Sequence, residues 1–127
     1  MPQRKKAMNR REIGNAGEGI VCAFLEQHGY TIRERNYTVR GGEIDIIAAK
    51  DDVIVFVEVK LRKEGAVVSG EEAVTKSKQH CLINAAERYL LTLPEPMNCR
   101  FDVAAVEQKK NGKMSLKYYV SAFDASK

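Results

Sequence analysis

The chain has 127 residues, of which 30% are charged and 44% hydrophobic, with a net charge of +4 and a pI near 9.0. That is the length of one domain and an ordinary globular composition, which excludes a disordered or fibrous chain and permits a nucleic-acid partner without requiring one. No apolar run approaches the ~20 residues of a membrane span, no apolar h-region follows the basic N-terminus, and the cysteines lack zinc-ligand spacing.

A cytoplasmic protein is therefore expected, with no membrane contact and with Cys22, Cys81 and Cys99 as reduced core residues. Residues 1–10 carry Arg4, Lys5, Lys6 and Arg10 and read as a flexible basic arm suited to phosphate contact. Residues 11–127 read as a single domain.

Residues 11–29 predict a helix. Ile13, Gly17, Ile20 and Phe24 recur at 3–4 spacing, Val21 and Leu25 widen the stripe, and Gly29 is the expected stop. Glycine at 14, 17 and 19 lowers helix propensity but allows close seating on a sheet. Glu18 borders the apolar stripe.

Residues 30–38 predict a strand in which Arg33 and Arg35 share a face, as candidate phosphate contacts or solvated edge charges. Gly41-Gly42 turns the chain into the stretch 41–62, GGEIDIIAAKDDVIVFVEVKLR, which reads as two strands joined at Asp51-Asp52.

A two-residue loop there sets the register. Lys50 faces Val53, Asp45 faces Glu58 and Glu43 faces Lys60. Alternation then places Glu43, Asp45, Ile47, Ala49, Ile54, Phe56, Glu58 and Lys60 on one face, and Ile44, Ile46, Ala48, Val53, Val55, Val57 and Val59 on the other. Both faces are apolar, so both are expected to be covered. Asp45 and Glu58 are like charges placed opposite on a half-covered face, an arrangement that a proton or a cation relieves. Carboxylate oxygens beside a backbone carbonyl suit Mg²⁺ or Mn²⁺.

Residues 61–70 read as a connection, with Arg62 and Lys63 leaving the strand as cations. Residues 69–93 predict a second helix with a capping box at Ser69–Glu72. Its apolar stripe, Ile83, Ala86, Leu90 and Leu93, turns polar at Gln79 and Lys76 when traced backward, which brings these two towards the carboxylates. Residues 99–107 predict a strand in which Asp102 is expected to be structural. Residues 108–113 contain the hairpin turn Asn111-Gly112, and residues 114–123 predict the last strand. A helix between the third and fourth strands favours parallel pairing there.

Asp45, twelve intervening residues, then Glu58-Val59-Lys60 resembles the signature of the PD-(D/E)xK nuclease superfamily, with Ile44 in place of its proline. GNAGE (14–18), RN (35–36), GEIDII (42–47), VFVEVKLR (55–62) and RFDV (100–103) together resemble the YraN-like family of that superfamily, over nearly the whole chain.

The resemblance implies an α/β, restriction-endonuclease-like three-layer sandwich around a mixed sheet, in the order helix-strand-strand-strand-helix-strand-strand. It implies a metal-dependent endonuclease acting on DNA, structured or branched DNA included, with Mg²⁺ or Mn²⁺ as cofactor. Asp45, Glu58 and Lys60 would be catalytic. Glu18, Asp45, Glu58 and the carbonyl of Val59 would hold the metal. Glu43, Lys76 and Gln79 would support the site, and Arg62, Lys63, Arg33, Arg35, Lys5 and Lys6 would contact nucleic acid. Related junction resolvases suggest a homodimer. Two other readings keep the fold: a catalytically silent nucleic-acid-binding module, and a protein-interaction domain.

Overall fold

The computed structural model describes residues 10–65 and 75–123. The basic arm with Lys5 and Lys6, and the capping box at Ser69–Glu72, lie outside the described residues. In chain order the elements are α1 (Arg10–Gln27), β1 (Thr31–Val39), β2 (Gly42–Lys50), β3 (Val53–Lys63), α2 (Lys76–Leu90), β4 (Asn98–Gln108) and β5 (Met114–Phe123). One five-stranded sheet runs β1-β2-β3-β4-β5, parallel only between β3 and β4 and antiparallel elsewhere. The parallel step is the one bridged by α2, as the crossover requires.

Each face of the sheet carries one helix, which makes three layers. Ile47, Ile54, Phe56, Phe101 and Val103 pack with Leu82, Ala85, Ala86 and Tyr89 of α2. Ile46, Ala48, Val55, Val57, Ala104 and Val106 pack with Val21, Cys22 and Leu25 of α1. The alternation in the VIVFV run is what feeds both cores from one strand.

Glycine sets two of the close approaches. A Cβ on Gly42 would run into the carbonyl oxygen of Cys81, so β2 begins directly beneath α2; a Cβ on Gly17 would stand 2.9 Å from Leu61 Cδ2. Gly14 and Gly19 face open space, so only Gly17 of the three α1 glycines is needed for seating. Gly29, at φ +87°, ends α1 as expected.

Four expectations need correction. Helix α2 starts at Lys76 rather than at residue 69: Thr75 is extended and its side chain accepts the Lys78 N–H, which is an N-cap. Its buried stripe is Leu82, Ala85, Ala86 and Tyr89, one step away from the predicted one. Of the cysteines, Cys22 is buried, Cys81 half-buried and Cys99 exposed.

The fourth correction concerns alternation. The β1–β2 register shifts between Ile32 and Glu34, which makes Arg33 the bulged residue. Arg33 therefore lies over the Tyr89 ring on the α2 side, while Arg35 pairs with Glu18 of α1; the two cations do not share a face. Alternation breaks a second time where Asn36 and Asp45 stand opposite, although the register is the same in the flanking pairs Arg35↔Ile46 and Tyr37↔Ile44. Asn36 has φ +53°, and Ile44 packs on the α2 side although Ile46 packs on the α1 side.

Candidate active site

The β2–β3 ladder follows the two-residue loop, from Lys50↔Val53 to Ile46↔Val57. There it ends. β2 continues towards Gly42 while β3 continues to Lys63 against β4 alone. The strands fork where alternation breaks in β2, and Asp45 and Glu58 stand in the fork. Asp45 bridges it: its Oδ2 accepts the Val59 N–H at 2.8 Å. In an extended strand the carbonyl of a residue points to the same edge as its N–H, so the Val59 carbonyl also faces the fork.

Glu58 is 4% exposed, and its Oε2 has no hydrogen-bond partner. Two ammonium groups stand off from that oxygen, Lys60 Nζ at 3.9 Å and Lys78 Nζ at 3.6 Å. Both distances are ion-pair contacts, too long for hydrogen bonds. Burial pushes the Asp45 carboxyl up to about 7; a hydrogen bond to Glu58 and the Glu58 charge add to the rise, while the Val59 N–H and Lys78 oppose it. The pair is therefore a buried, oxygen-rich pocket edged with cations.

Other residues singled out in the sequence are placed differently. Glu18 Oε1 accepts from Arg35 at 3.3 Å and from Asn36 at 3.2 Å, on the α1 side. Since Asn36 stands opposite Asp45, Glu18 is at the level of the fork but in other hands. Among the described residues no three Asp, Glu, His or Cys side chains form a metal-holding group. Glu43 is exposed and lies beside Thr38 of β1, because the fork has separated it from Lys60. Lys76 is exposed and Gln79 half-buried. Arg62 and Lys63 continue β3 beyond the fork, beside Glu107 and Gln108.

Lys78 is the site residue that the sequence reading missed. Tracing the stripe back from Leu82, Ala85 and Tyr89 leads to it, and the N-cap at Thr75 fixes its backbone in the first turn of α2.

Over residues 17–106 the chain matches the family described as "Uncharacterised protein family UPF0102". The UPF0102 protein of Dictyoglomus thermophilum is 41% identical over 91% of this chain and 100% of its own length. The UPF0102 protein STH1475 of Symbiobacterium thermophilum is 44% identical over 91% and 98%, and that of Myxococcus xanthus 37% over 97% and 98%. This chain belongs to the UPF0102 family. That family is the YraN-like group to which the five sequence strings pointed.

Asp102 is wholly buried and belongs to a separate polar cluster. Arg100 donates to both of its oxygens at 2.9 Å, Tyr118 donates its hydroxyl at 2.6 Å, and the Ser121 N–H donates at 2.9 Å. Every charge there is answered from within, which is the structural role expected of it.

A cleft of ≈ 550 Å³ opens at the opposite end of the hairpin, lined by Arg33, Asp51, Asp52 and Glu95 among others. It lies about 20 Å along the strands from the fork, and its acidic wall is unsuited to phosphate.

Proposed function

We propose that this protein is a divalent-metal-dependent endonuclease hydrolysing phosphodiester bonds in DNA, with structured or branched DNA among its substrates. One observation carries the reading: Asp45 and Glu58 together at a fork in the sheet, Asp45 held by the Val59 N–H, with a buried Glu58 oxygen that no protein donor satisfies. A buried carboxylate oxygen without a donor is costly, and folding alone gives no reason to place it beside a second carboxylate.

The residues present fit a hard cation. Asp45, Glu58 and the Val59 carbonyl are oxygen donors of the kind that Mg²⁺ and Mn²⁺ take, with water completing the set. Such an ion would supply Lewis-acid stabilisation of charge at the phosphate and a more acidic water.

The side chains around it have their own tasks. Lys60 holds an ammonium beside Glu58, placed to orient an attacking water or to neutralise charge growing on the phosphate oxygens. Asp45 fixes the fork through Val59. Arg62 and Lys63 extend β3 as cations suited to the flanking phosphates. Glu18 supports the site from α1 by holding Arg35 and Asn36 opposite Asp45.

A second reading is a silent nucleic-acid-binding module of the same fold. It is favoured by one feature: Lys60 and Lys78 already offset the Glu58 charge without a cation. Incubation of purified protein with supercoiled, linear, flapped and branched DNA, in Mg²⁺, Mn²⁺ or EDTA, separates the two. Cutting that EDTA abolishes supports the nuclease; binding without cutting on every substrate supports the module. Among the described residues no helix is long and apolar enough to cross a membrane.

A further inference from the structure

Glu58 Oε2 is buried, charged and without a hydrogen bond, and the group closest to it by ion-pair distance comes from another layer of the protein. Lys78 reaches across from the first turn of α2 to stand at 3.6 Å, nearer than Lys60 on its own strand at 3.9 Å. We propose that Lys78 is a displaceable counter-ion: its ammonium takes the place of the divalent cation at Glu58 in the metal-free protein, and withdraws when the cation enters. This rests on the reading of the Asp45–Glu58 pair as a cation site.

Three features make the lysine displaceable. Its contact is electrostatic only, without the donor–acceptor geometry that would lock it. Its side chain is 39% exposed, against 4% for Glu58, so the ammonium has water to retreat into at the end of a flexible stem. Its backbone is held independently of the contact, by the Thr75 cap on the Lys78 N–H, so α2 need not move when the side chain does.

The arrangement also has a reason to exist. Two carboxyl groups share the fork, and charging both without a cation strains the buried pair by its own repulsion. Lys78 offsets that charge until the cation arrives. Once freed, it remains at the mouth of the fork as a positive group available to a phosphate, which a buried lysine would not be.

Two positive groups competing for one oxygen make a quantitative expectation. Removing the lysine charge removes the competitor, so cation affinity should rise. Mn²⁺ affinity is measured by calorimetric titration of the full chain at fixed pH and salt, for wild type, Lys78→Met, Lys78→Gln and Lys78→Arg. The two neutral variants are expected to bind Mn²⁺ about five- to tenfold more tightly than wild type, a change of about 1–1.4 kcal/mol. Lys78→Arg keeps the charge and should stay within about twofold of wild type. Circular dichroism and melting in EDTA establish that each variant is folded before it is titrated.

Equal or weaker Mn²⁺ binding by both folded neutral variants overturns the inference and leaves the cation site itself standing. An absence of Mn²⁺ binding in wild type and variants alike overturns both. Binding by the neutral variants but not by wild type supports the counter-ion role and removes metal-dependent catalysis from the wild-type protein.

Discussion

Asp45 and Glu58 reach the fork from neighbouring strands, Asp45 held by the Val59 N–H and Glu58 with one buried oxygen unmatched. Burial first, and the neighbouring Glu58 carboxyl second, push the Asp45 carboxyl up to about 7.

The stability of the metal-free protein should therefore depend on pH in an unusual direction. The folded-state value of Asp45, about 7, lies above the 3.8 of an ordinary aspartate. The folded chain binds this proton more tightly than the unfolded chain does. Its contribution is complete below about pH 4 and is lost as pH rises through about 7. Urea melts in EDTA should show wild type losing roughly 3–4 kcal/mol relative to Asp45→Asn between those limits. Parallel curves for the two proteins would remove the proton from Asp45.

At neutral pH without metal, Asp45→Asn should be as stable as wild type or more so, where an arbitrary substitution costs ~1 kcal/mol. Wild type should gain roughly 2.7 kcal/mol from Mn²⁺ at a hundred times Kd, and the variant should lose most of that gain with its anionic oxygen. The two effects have opposite signs, so a general folding defect cannot produce both. Thermal melts with and without Mn²⁺ decide it.

In the DNA-nicking assay, Asp45→Ala, Glu58→Ala and Lys60→Ala should each lower the rate by about a hundredfold or more, with the far-ultraviolet spectrum unchanged. Glu43→Ala should fall within a few-fold of wild type, since the fork has carried Glu43 away from Lys60. A loss with Glu43→Ala equal to that with Lys60→Ala would put Glu43 back into the site beside Lys60.

Asp102→Ala should unfold more readily by about 3–5 kcal/mol, because it strands Arg100 without its bidentate partner and leaves Tyr118 and the Ser121 N–H unmatched. Mn²⁺ affinity of whatever remains folded should equal that of wild type. A selective loss of Mn²⁺ binding would move Asp102 into the metal site.

Two glycines, one in α1 and one at the start of β2, give a cleaner contrast. Gly14→Ala enters open space within a helix and should stabilise by up to about 1 kcal/mol. Gly42→Ala must push α2 off the Cys81 carbonyl and should destabilise by more than that. Denaturant midpoints for the two variants should move in opposite directions.

Much of this was legible before any coordinates. Asp51-Asp52 fixed the hairpin register because a two-residue loop allows one pairing and the side-chain period of two follows from it. The strings of identical residues carried the family. What stayed hidden depended on single backbone angles and on half-turns of helix. The φ of +53° at Asn36 and the bulge at Arg33 leave no composition signature, yet alternation breaks at these two places and Arg35 lies on the α1 side. Lys78 was missed for a related reason. Ile83, Leu90 and Leu93 are as apolar as Leu82 and Tyr89, so the stripe could be drawn through either set, and the two choices end on different lysines.

The bond from Val59 to Asp45 gives the fork an indicator of its own. An amide proton held by a carboxylate resonates according to the charge on that carboxylate, and this one lies outside the ladder that would otherwise dominate its shift. In a ¹⁵N-labelled sample the Val59 cross-peak should move once as Asp45 titrates. With Mg²⁺, which is diamagnetic and leaves the line sharp, it should move again. A backbone position with no reactive atom can thus announce, peak by peak, whether the fork holds a proton, a lysine or a metal.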